Sequence, residues 1–241
     1  ETCEIEGLKI ITPTVFGDQR GYFVETYNYN DFAAAGIDVN FVQDNQSASR
    51  KGVLRGLHFQ INYPQDKLVR VIKGEVYDVA VDMREGSPTF GKWHGVLLSE
   101  ENKKQFFVPK GFAHGFLVLS DYAEFCYKVT DFYHPNDEGG FMYNDPEIGV
   151  EWPIEDGMEI ILSEKDTKHG SFADYVKNMA ELMARCDLAV TAGGTTTYEL
   201  STLGVPFVCF SYAENQEKLT EYIGDRQIAG YGGAYHKDAC G

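Results

Sequence analysis

Four short stretches of the chain concentrate polar side chains that a strand pattern alone does not require. They are RGLHFQ at 55–60, PKGFAHGF at 109–116, YKVTDFYHP at 127–135 and LSEKD at 162–166. A histidine such as His58, with an ordinary pKa of about 6.5, can take a proton near neutral pH. A tyrosine, with an ordinary pKa of about 10, is normally protonated and can give one. A carboxylate such as Asp166 can hold a histidine in one tautomer, so the set indicates proton-transfer chemistry.

Each of these residues also has an ordinary structural interpretation when it is taken alone. His58 is then a satisfied strand residue, Tyr127 a packing residue, and Asp166 a helix N-cap or turn residue. In the same way Lys67 is a solvated lysine at a sheet edge, and Arg20 belongs to a turn. Only the joint occurrence of these residues favours a functional interpretation over these alternatives.

Up to about residue 165 the chain has the pattern of short strands separated by turns. In KLVRVIKGEVYDVAVD at 67–82, two β-rich runs flank Gly74-Glu75, a pair that predicts a hairpin turn. Further strands are predicted at Phe106–Val108, Phe116–Leu119 and Glu124–Val129. Many short strands at regular spacing predict a mainly β sandwich or barrel, which must position the four polar stretches.

The pattern changes after residue 170. Apolar residues between Phe172 and Cys186 recur at helical spacing, and an apolar run at 188–190 precedes a second helix at Thr197–Leu203 and a strand at Phe207–Phe210. This alternation indicates a parallel α/β unit, of which about 70 residues form only a part. The sequence thus predicts a β domain over residues 1–169 and a partial α/β, half-Rossmann-like segment over residues 170–241.

The bulk composition limits the class of protein. Lys and Arg total 21 and Asp and Glu total 37, so the net charge is −16 and most of the surface repels nucleic acid and anionic lipid. The five cysteines form no C-x-x-C pair, which indicates a reducing compartment rather than a disulfide framework or a zinc site. No apolar run reaches the length of a membrane span. We therefore expect a cytoplasmic protein that binds neither nucleic acid nor membranes.

The polar stretches belong to a longer series of motifs that runs in order through residues 5–166. The series comprises RGYFVE at 20–25, QDNQS at 43–47, LRGLHFQ at 54–60, KLVRVIKGEVYDVAVDMR at 67–84, SPTFGKW at 87–93, VPKGFAHGFLVLSDYAEFCYK at 108–128, NDPEIGVEWP at 144–153 and LSEKD at 162–166. In these motifs the sequence resembles the dTDP-4-dehydrorhamnose 3,5-epimerase family. The resemblance implies a cupin-like jelly roll, a homodimer and a dTDP-sugar substrate, with neither a metal nor a cofactor.

The resemblance also implies roles for the residues that match the family's motifs. It implies that His58 is the general base, that Asp166 orients this histidine, and that Tyr127 is the acid on the opposite face of the sugar. It places Lys67 near the developing enolate oxygen and His114 in the pocket. The positions that match nucleotide- and sugar-contacting residues of the family are Arg20, Glu25, Gln43, Asn45, Arg55 and Tyr133, with Phe132 as an aromatic partner for the thymine.

The chemistry of such an epimerisation requires a residue set of this kind. A ketone at C4 makes the hydrogens on C3 and C5 acidic, because the carbanion delocalises into an enolate. A base takes the proton, a second group returns one on the opposite face, and a cation at the enolate oxygen lowers the barrier. Arginine forks such as Arg20 and Arg55 suit the diphosphate. The predicted function is inversion of C3 and C5 of a dTDP-4-keto-6-deoxyhexose, as in dTDP-rhamnose-type deoxysugar biosynthesis.

Other functions on the same fold stay open at this point. A 3-only epimerase or a 3,4-ketoisomerase would use the same pocket, although Tyr127 favours inversion over ketoisomerisation. A catalytically silent module would bind the sugar nucleotide without exchanging protons. Cupin-like barrels also often hold iron, manganese or zinc, and His58 and His114 offer two ligands. The H-x-H pattern of metal cupins is absent from the sequence, so we predict no metal at this pair.

A second resemblance concerns residues 178–216, with CDLAVTAGGTTTYELSTLGVPFVCF at their centre. They resemble the C-terminal part of UDP-sugar hydrolases and glycosyltransferases, in particular the UDP-sugar hydrolase of pseudaminic acid synthesis. The amides and hydroxyls of Gly193, Gly194, Thr195 and Thr196 are then expected to hold a diphosphate at a helix start, with Glu199 near a ribose. The alternative is an ordinary strand-to-helix turn. Because half of that cleft has no counterpart in this sequence, we expect a fused remnant that neither hydrolyses nor transfers a sugar. Hydrolysis or transfer of a UDP-sugar through this segment is the alternative function.

Overall fold

The computed structural model describes residues 3–176, 188–192, 195–211, 219–220, 222–224 and 228–234. The chain divides into two compact units, one comprising Glu1–Met83 with Gly91–Ser171 and the other Arg84–Phe90 with Phe172–Gly241. The sequence pattern does not predict that Arg84–Phe90 belongs to the second unit. Among the described residues, no helix combines the length and the apolar character needed to cross a membrane.

The first unit consists mainly of antiparallel strands. Its elements are β1 (Lys9–Ile11), β2 (Val15–Asp18), β3 (Gly21–Val24), α1 (Tyr29–Ala34), β4 (Gln43–Arg50), β5 (Leu54–Gln60), β6 (Lys67–Lys73), β7 (Glu75–Asp82), β8 (Trp93–Ser99), β9 (Gln105–Val108), β10 (Phe112–Val118), β11 (Tyr122–Val129), β12 (Glu138–Gly140) and a 3₁₀ turn (Asp166–Lys168). One five-stranded sheet has the order β1-β9-β6-β11-β4, and the other has the order β12-β5-β10-β7-β8. These two sheets confirm the predicted mainly β jelly roll.

The hydrophobic core of this unit joins residues of both sheets. Val69 and Phe125 come from the first sheet, and Val76 and Phe116 come from the second. Phe116 and Phe125 are stacked, with their ring centroids 4.2 Å apart. Burying an aromatic side chain of this size contributes roughly 1.5–3 kcal/mol. The stacked pair therefore fixes the spacing of the two sheets directly beside the polar stretches.

The prediction of a hairpin at Gly74-Glu75 is wrong. The strands on either side do not pair with each other, because β6 pairs with β9 and β11 whereas β7 pairs with β8 and β10. Gly74 has a φ of +75°, and a β carbon there would lie 2.1 Å from the carbonyl oxygen of Tyr122. This glycine therefore carries the chain from one sheet to the other. A local turn signal does not reveal this, because the pairing partners are remote in sequence.

Strands β5 and β10 bring two of the polar stretches side by side. In their antiparallel register His114 lies opposite His58, and the register shifts between His114 and Phe116. The strands approach closely here, since a β carbon on Gly56 would lie 2.5 Å from the α carbon of Gly115. Only glycine permits this approach, and the two glycines thereby determine where the two histidines stand.

The second unit contains a small parallel sheet. Its described elements are β13 (Ala189–Ala192), α2 (Thr195–Leu203), β14 (Phe207–Ser211) and β15 (Gly230–Ala234), with the strand order β13-β14-β15. Both strand pairings are parallel, which confirms the predicted α/β character. A separate core comprises Leu200, Val205, Phe207, Cys209 and Ile223. Residues 172–176 are helical as predicted, and the rest of the helix predicted up to Cys186 lies outside the described residues.

Candidate active site

A cavity of about 360 Å³ is lined by residues from both sheets of the jelly roll. All five residues predicted to do the chemistry line it, namely His58, Lys67, His114, Tyr127 and Asp166. Two of the predicted binding residues, Arg55 and Tyr133, line it as well. The motifs that are separated in sequence therefore converge on one site.

His58 and Asp166 form a hydrogen-bonded pair at this site. His58 Nε2 lies 2.5 Å from Oδ1 of the buried Asp166, while the Ser163 hydroxyl donates to Oδ2 at 2.6 Å. Burial alone would raise the pKa of Asp166, but the hydrogen bonds from His58 and Ser163 outweigh it and lower the pKa to about 2. The ionised carboxylate only accepts hydrogen bonds, so Nε2 of the neutral imidazole carries its proton. Nδ1 of His58 then keeps the lone pair of a base.

Glu138 is a site residue that the sequence analysis missed. Its Oε1 lies 3.6 Å from Nδ1 of His58, and its Oε2 accepts hydrogen bonds from the Tyr133 hydroxyl, at 2.9 Å, and from the Lys165 ammonium. Burial favours the neutral carboxyl, but these hydrogen bonds and the charge of His58 lower the pKa of Glu138 overall. The Glu-Gly-Gly sequence gave no signal, because it has the composition of a turn. Pairing of β12 with β5 brings it to His58.

Lys67 and His114 also line the cavity, and His114 is paired with the carboxylate of Asp78. His114 Nε2 lies 2.8 Å from Oδ1 of Asp78, and both side chains are buried. Burial raises the pKa of Asp78, although His114 and Lys67 act in the opposite direction. Burial also lowers the pKa of Lys67 to about 8, and the carboxylates of Asp78 and Glu138 oppose this shift. Lys67 is therefore a cation that can lose its charge at a pH only slightly above neutral.

Tyr127 reaches the cavity from the sheet opposite to that of His58. It lies on β11 between Asn45 of β4 and Val69 of β6, and packs near Phe125 with a centroid distance of 6.0 Å. Burial raises the pKa of Tyr127, with Arg55 acting in the opposite direction. The hydroxyl therefore stays protonated across the neutral range and is able to donate.

The remaining predicted binding residues do not line the cavity. Gln43 and Asn45 lie on β4, where Asn45 is the register partner of Tyr127 and Gln43 Nε2 donates to Asn45 Oδ1 at 2.8 Å. Phe132 is 60% exposed, and its side chain is free to meet a ligand. Arg20 and Glu25 belong to the β2–β3 hairpin and its continuation, and Arg20 is bonded to Asp18 of the same hairpin.

The phosphate site predicted in the second unit is described only in part. Gly193 and Gly194 lie outside the described residues, and α2 begins at Thr195. Thr196 Oγ1 donates a hydrogen bond to the carboxylate of Glu85 at 2.8 Å. A carboxylate at a helix start interacts favourably with the helix dipole in the way that a phosphate would. Nothing described here assigns a role to Glu199, whose side chain lies outside the described part of the chain.

The jelly roll and its acid–base cavity define this chain as a cupin-like isomerase. The model of the family described as dTDP-4-dehydrorhamnose 3,5-epimerase matches residues 2–174. The dTDP-4-dehydrorhamnose 3,5-epimerase of Escherichia coli K12 is 57% identical over 167 residues, which are 68% of this chain and 89% of the relative. The chain therefore belongs to the dTDP-4-dehydrorhamnose 3,5-epimerase family.

Solved structures agree with this assignment. The dTDP-6-deoxy-D-glucose-3,5-epimerase of Legionella pneumophila, in complex with dTDP-4-keto-L-rhamnose, is 53% identical with a TM-score of 0.68, over 70% of this chain and 89% of that one. A 3′-monoepimerase of Streptomyces bikiniensis in complex with dTDP-quinovose is 33% identical with a TM-score of 0.69, over 73% and 89% of the two chains. Both single-centre and double-centre epimerases therefore share this fold.

Proposed function

We propose that the chain inverts C3 and C5 of a dTDP-4-keto-6-deoxyhexose. The observation that carries the proposal is the placement of His58 and Tyr127 on opposite sheets of one cavity, which Lys67 also lines. A base and an acid on opposite sides of a bound sugar are what an inversion needs. The 57% identity to an epimerase of this specificity supports the choice of substrate.

The proposed mechanism begins with proton abstraction by His58. Nδ1 takes the proton from C3 or C5, and the C–H electron pair moves into the C4 carbonyl to give an enolate. Asp166 and Glu138 stabilise the imidazolium, since one is 2.5 Å and the other 3.6 Å from its two nitrogens. Lys67 stabilises the enolate oxygen. Tyr127 then returns a proton to the same carbon from the opposite face. The C4 carbonyl re-forms, and the reprotonated carbon has the inverted configuration.

The experiment that tests the proposal is proton NMR of dTDP-4-keto-6-deoxyglucose with the purified protein in heavy water. We expect deuterium to enter at both C3 and C5, together with the signals of the inverted product. Deuterium at C3 alone would instead assign the chain to the single-centre epimerases, and isomerisation of the ketone would indicate a 3,4-ketoisomerase. Absence of exchange in a protein that binds dTDP would contradict the proposal and indicate a silent binding module.

The charge of Lys67 predicts a pH limit for the reaction. The pKa of Lys67 is lowered to about 8, so the side chain loses its positive charge as the pH rises through that value. We expect kcat/KM to fall on the alkaline side with an apparent pKa of about 8. Because arginine stays charged, Lys67→Arg should move this limb to a higher pH even if its maximal rate is lower. An unchanged alkaline limb in Lys67→Arg would assign the titration to another group.

We propose a homodimer, which would account for two predicted binding residues that are absent from the cavity of their own chain. The β2–β3 hairpin exposes Phe16 at 62% and Phe23 at 66%, and it also carries Arg20. Exposed aromatic clusters on soluble proteins mark association surfaces. In the proposed dimer this hairpin docks on a second copy, so that Arg20 and Glu25 reach the partner's diphosphate and sugar.

Sedimentation measurements test the proposed dimer. We expect a particle of twice the chain's 27.0 kDa, and the Phe16→Glu/Phe23→Glu double variant should sediment as a single chain with most of its activity lost. Tyr198→Glu is the matched control, because Tyr198 on α2 is 61% exposed and lies far along the chain from the hairpin. Arg20→Ala should stay dimeric but raise KM roughly tenfold or more by loss of a charge-assisted hydrogen bond. A wild-type single chain with full activity would contradict this arrangement.

The proposal extends to the cellular setting and to the second unit. Cys3, Cys126 and Cys209 form no disulfide among the described residues, which suits a reducing, cytoplasmic location. The net charge of −16 disfavours nucleic acid and anionic membranes. The family match ends at residue 174, so the resemblance of residues 178–216 to UDP-sugar hydrolases stays a prediction. We propose that residues 170–241 are a remnant without turnover. Hydrolysis of a UDP-sugar that survives His58→Ala and falls with Thr196→Val would contradict this.

A further inference from the structure

His169 lies beside the catalytic pair, although the proposed mechanism does not use it. It follows the 3₁₀ turn that begins with Asp166, and its ring centroid is 5.4 Å from that of His58. Its Nε2 is buried and has no hydrogen-bond partner among the described residues. A buried ring nitrogen without a partner is uncommon in proteins, because desolvation without a hydrogen bond costs free energy. This nitrogen is therefore available to bind a ligand.

His169 also belongs to a group of residues with the composition of a metal site. One ligand atom from each of His58, Asp166 and His169 lies within 4.8 Å of the other two. Zinc takes imidazole and carboxylate ligands at about 2.0–2.2 Å, so ligand atoms in a formed site are roughly 3–3.6 Å apart. A shift of the His169 ring by about 1 Å closes this difference. The 2.5 Å contact between His58 Nε2 and Asp166 Oδ1 must also lengthen, by roughly 0.5–1 Å, when the ion replaces the shared proton.

We propose that His58, Asp166 and His169 bind a divalent transition-metal ion, with Zn²⁺ as the best-suited ion, and that the bound ion switches off the epimerase. Two imidazoles and one carboxylate suit zinc, cobalt and nickel better than magnesium or calcium. This site differs from the pair His58 and His114 considered from the sequence, because His114 Nε2 is bonded to Asp78 at 2.8 Å.

The inhibition follows from the tautomer of His58. In the metal-free pair Nε2 carries the proton and Nδ1 carries the lone pair that takes the substrate proton. A metal ion must bind the lone pair of Nε2, so the imidazole proton moves to Nδ1. The ring then has no lone pair left for the substrate. This inhibitory half rests on the proposed function, whereas metal binding itself does not.

Calorimetric titration of the full chain with Zn²⁺, after removal of metals with a chelator, tests the site directly. We expect one tightly bound ion per chain and a loss of affinity of about tenfold or more in His169→Gln. His134→Gln is the matched control, since His134 is stacked on Tyr63 and does not line the cavity, and its affinity should match the wild type. Equal affinities of His169→Gln and the wild type, or no binding below millimolar Zn²⁺, would overturn the proposal.

An inhibition assay separates the site from the proposed function. Each variant is compared with its own zinc-free rate, and EDTA is added at the end to restore activity. We expect Zn²⁺ to inhibit the wild type and His134→Gln alike, and His169→Gln to need about tenfold or more Zn²⁺ for the same inhibition. Binding of Zn²⁺ without inhibition would overturn the proposal that the bound ion switches off the epimerase. Binding to a protein without epimerase activity would refute the proposed function and leave the metal site standing.

Discussion

His58→Asn is expected to slow deuterium exchange at C3 and C5 by about 10²–10⁴-fold, the usual contribution of a general base. Asparagine has no titratable nitrogen, so nothing at this position takes the substrate proton. The affinity for dTDP should change little, because His58 lies among the acid–base residues and the diphosphate is assigned to arginines. Exchange is measured by NMR in heavy water and dTDP affinity by calorimetry.

The control for this variant is His134→Asn, which removes a histidine that does not line the cavity. It should exchange deuterium at the wild-type rate. His58→Asn also leaves the buried Asp166 carboxylate without its histidine partner, so we expect a loss of roughly 1–3 kcal/mol in the free energy of unfolding. Exchange that continues in a folded His58→Asn protein would remove His58 from the role of base, and parallel loss of dTDP binding would indicate misfolding.

Tyr127→Phe is expected to reduce formation of the inverted product by about 10²–10⁴-fold while exchange falls far less. The substitution removes only the hydroxyl, which burial keeps protonated and which faces the cavity from the sheet opposite to His58. Without it, His58 still removes the proton and returns one on the same face. Label therefore enters the substrate without inversion. The two rates are obtained from a single NMR time course.

Tyr133→Phe is the matched control for this result. Its hydroxyl also lies at the cavity, but it donates to Glu138 at 2.9 Å, on the side of His58. We expect Tyr133→Phe to lower exchange and inversion in the same proportion, because it alters the surroundings of the base. A normal yield of inverted product from Tyr127→Phe would exclude Tyr127 as the acid.

The sequence was sufficient to predict the jelly roll and the convergence of five side chains on one cavity. Those side chains lie in motifs whose order and spacing are characteristic of the family. Glu138 escaped prediction because its neighbours, two glycines, have the composition of a turn. Its position beside His58 depends on the pairing of β12 with β5, between residues far apart in the chain. His169 escaped for the same kind of reason. Its place beside His58, and the lack of a hydrogen-bond partner for its Nε2 within the described part of the chain, follow from the fold.

Two further differences show what a linear pattern does not contain. The Gly74-Glu75 pair has the composition of a hairpin turn, yet it connects strands of different sheets. The choice between these arrangements is made by the partners of β6 and β7, which lie elsewhere in the chain. Arg20 and Glu25 match binding positions, but a motif does not specify which copy of the chain binds with them. The placement of these two residues follows from the quaternary structure, which the sedimentation experiment tests.

The close contact between Gly56 and Gly115 has a consequence for engineering the enzyme. Every substituent at these two positions would push apart the strands that carry His58 and His114, so one wall of the cavity has almost no freedom to vary. The facing wall carries Ser47 on β4, whose small side chain borders the cavity. Mutant libraries designed for a new sugar specificity should therefore keep Gly56 and Gly115 and vary the residues of the facing wall.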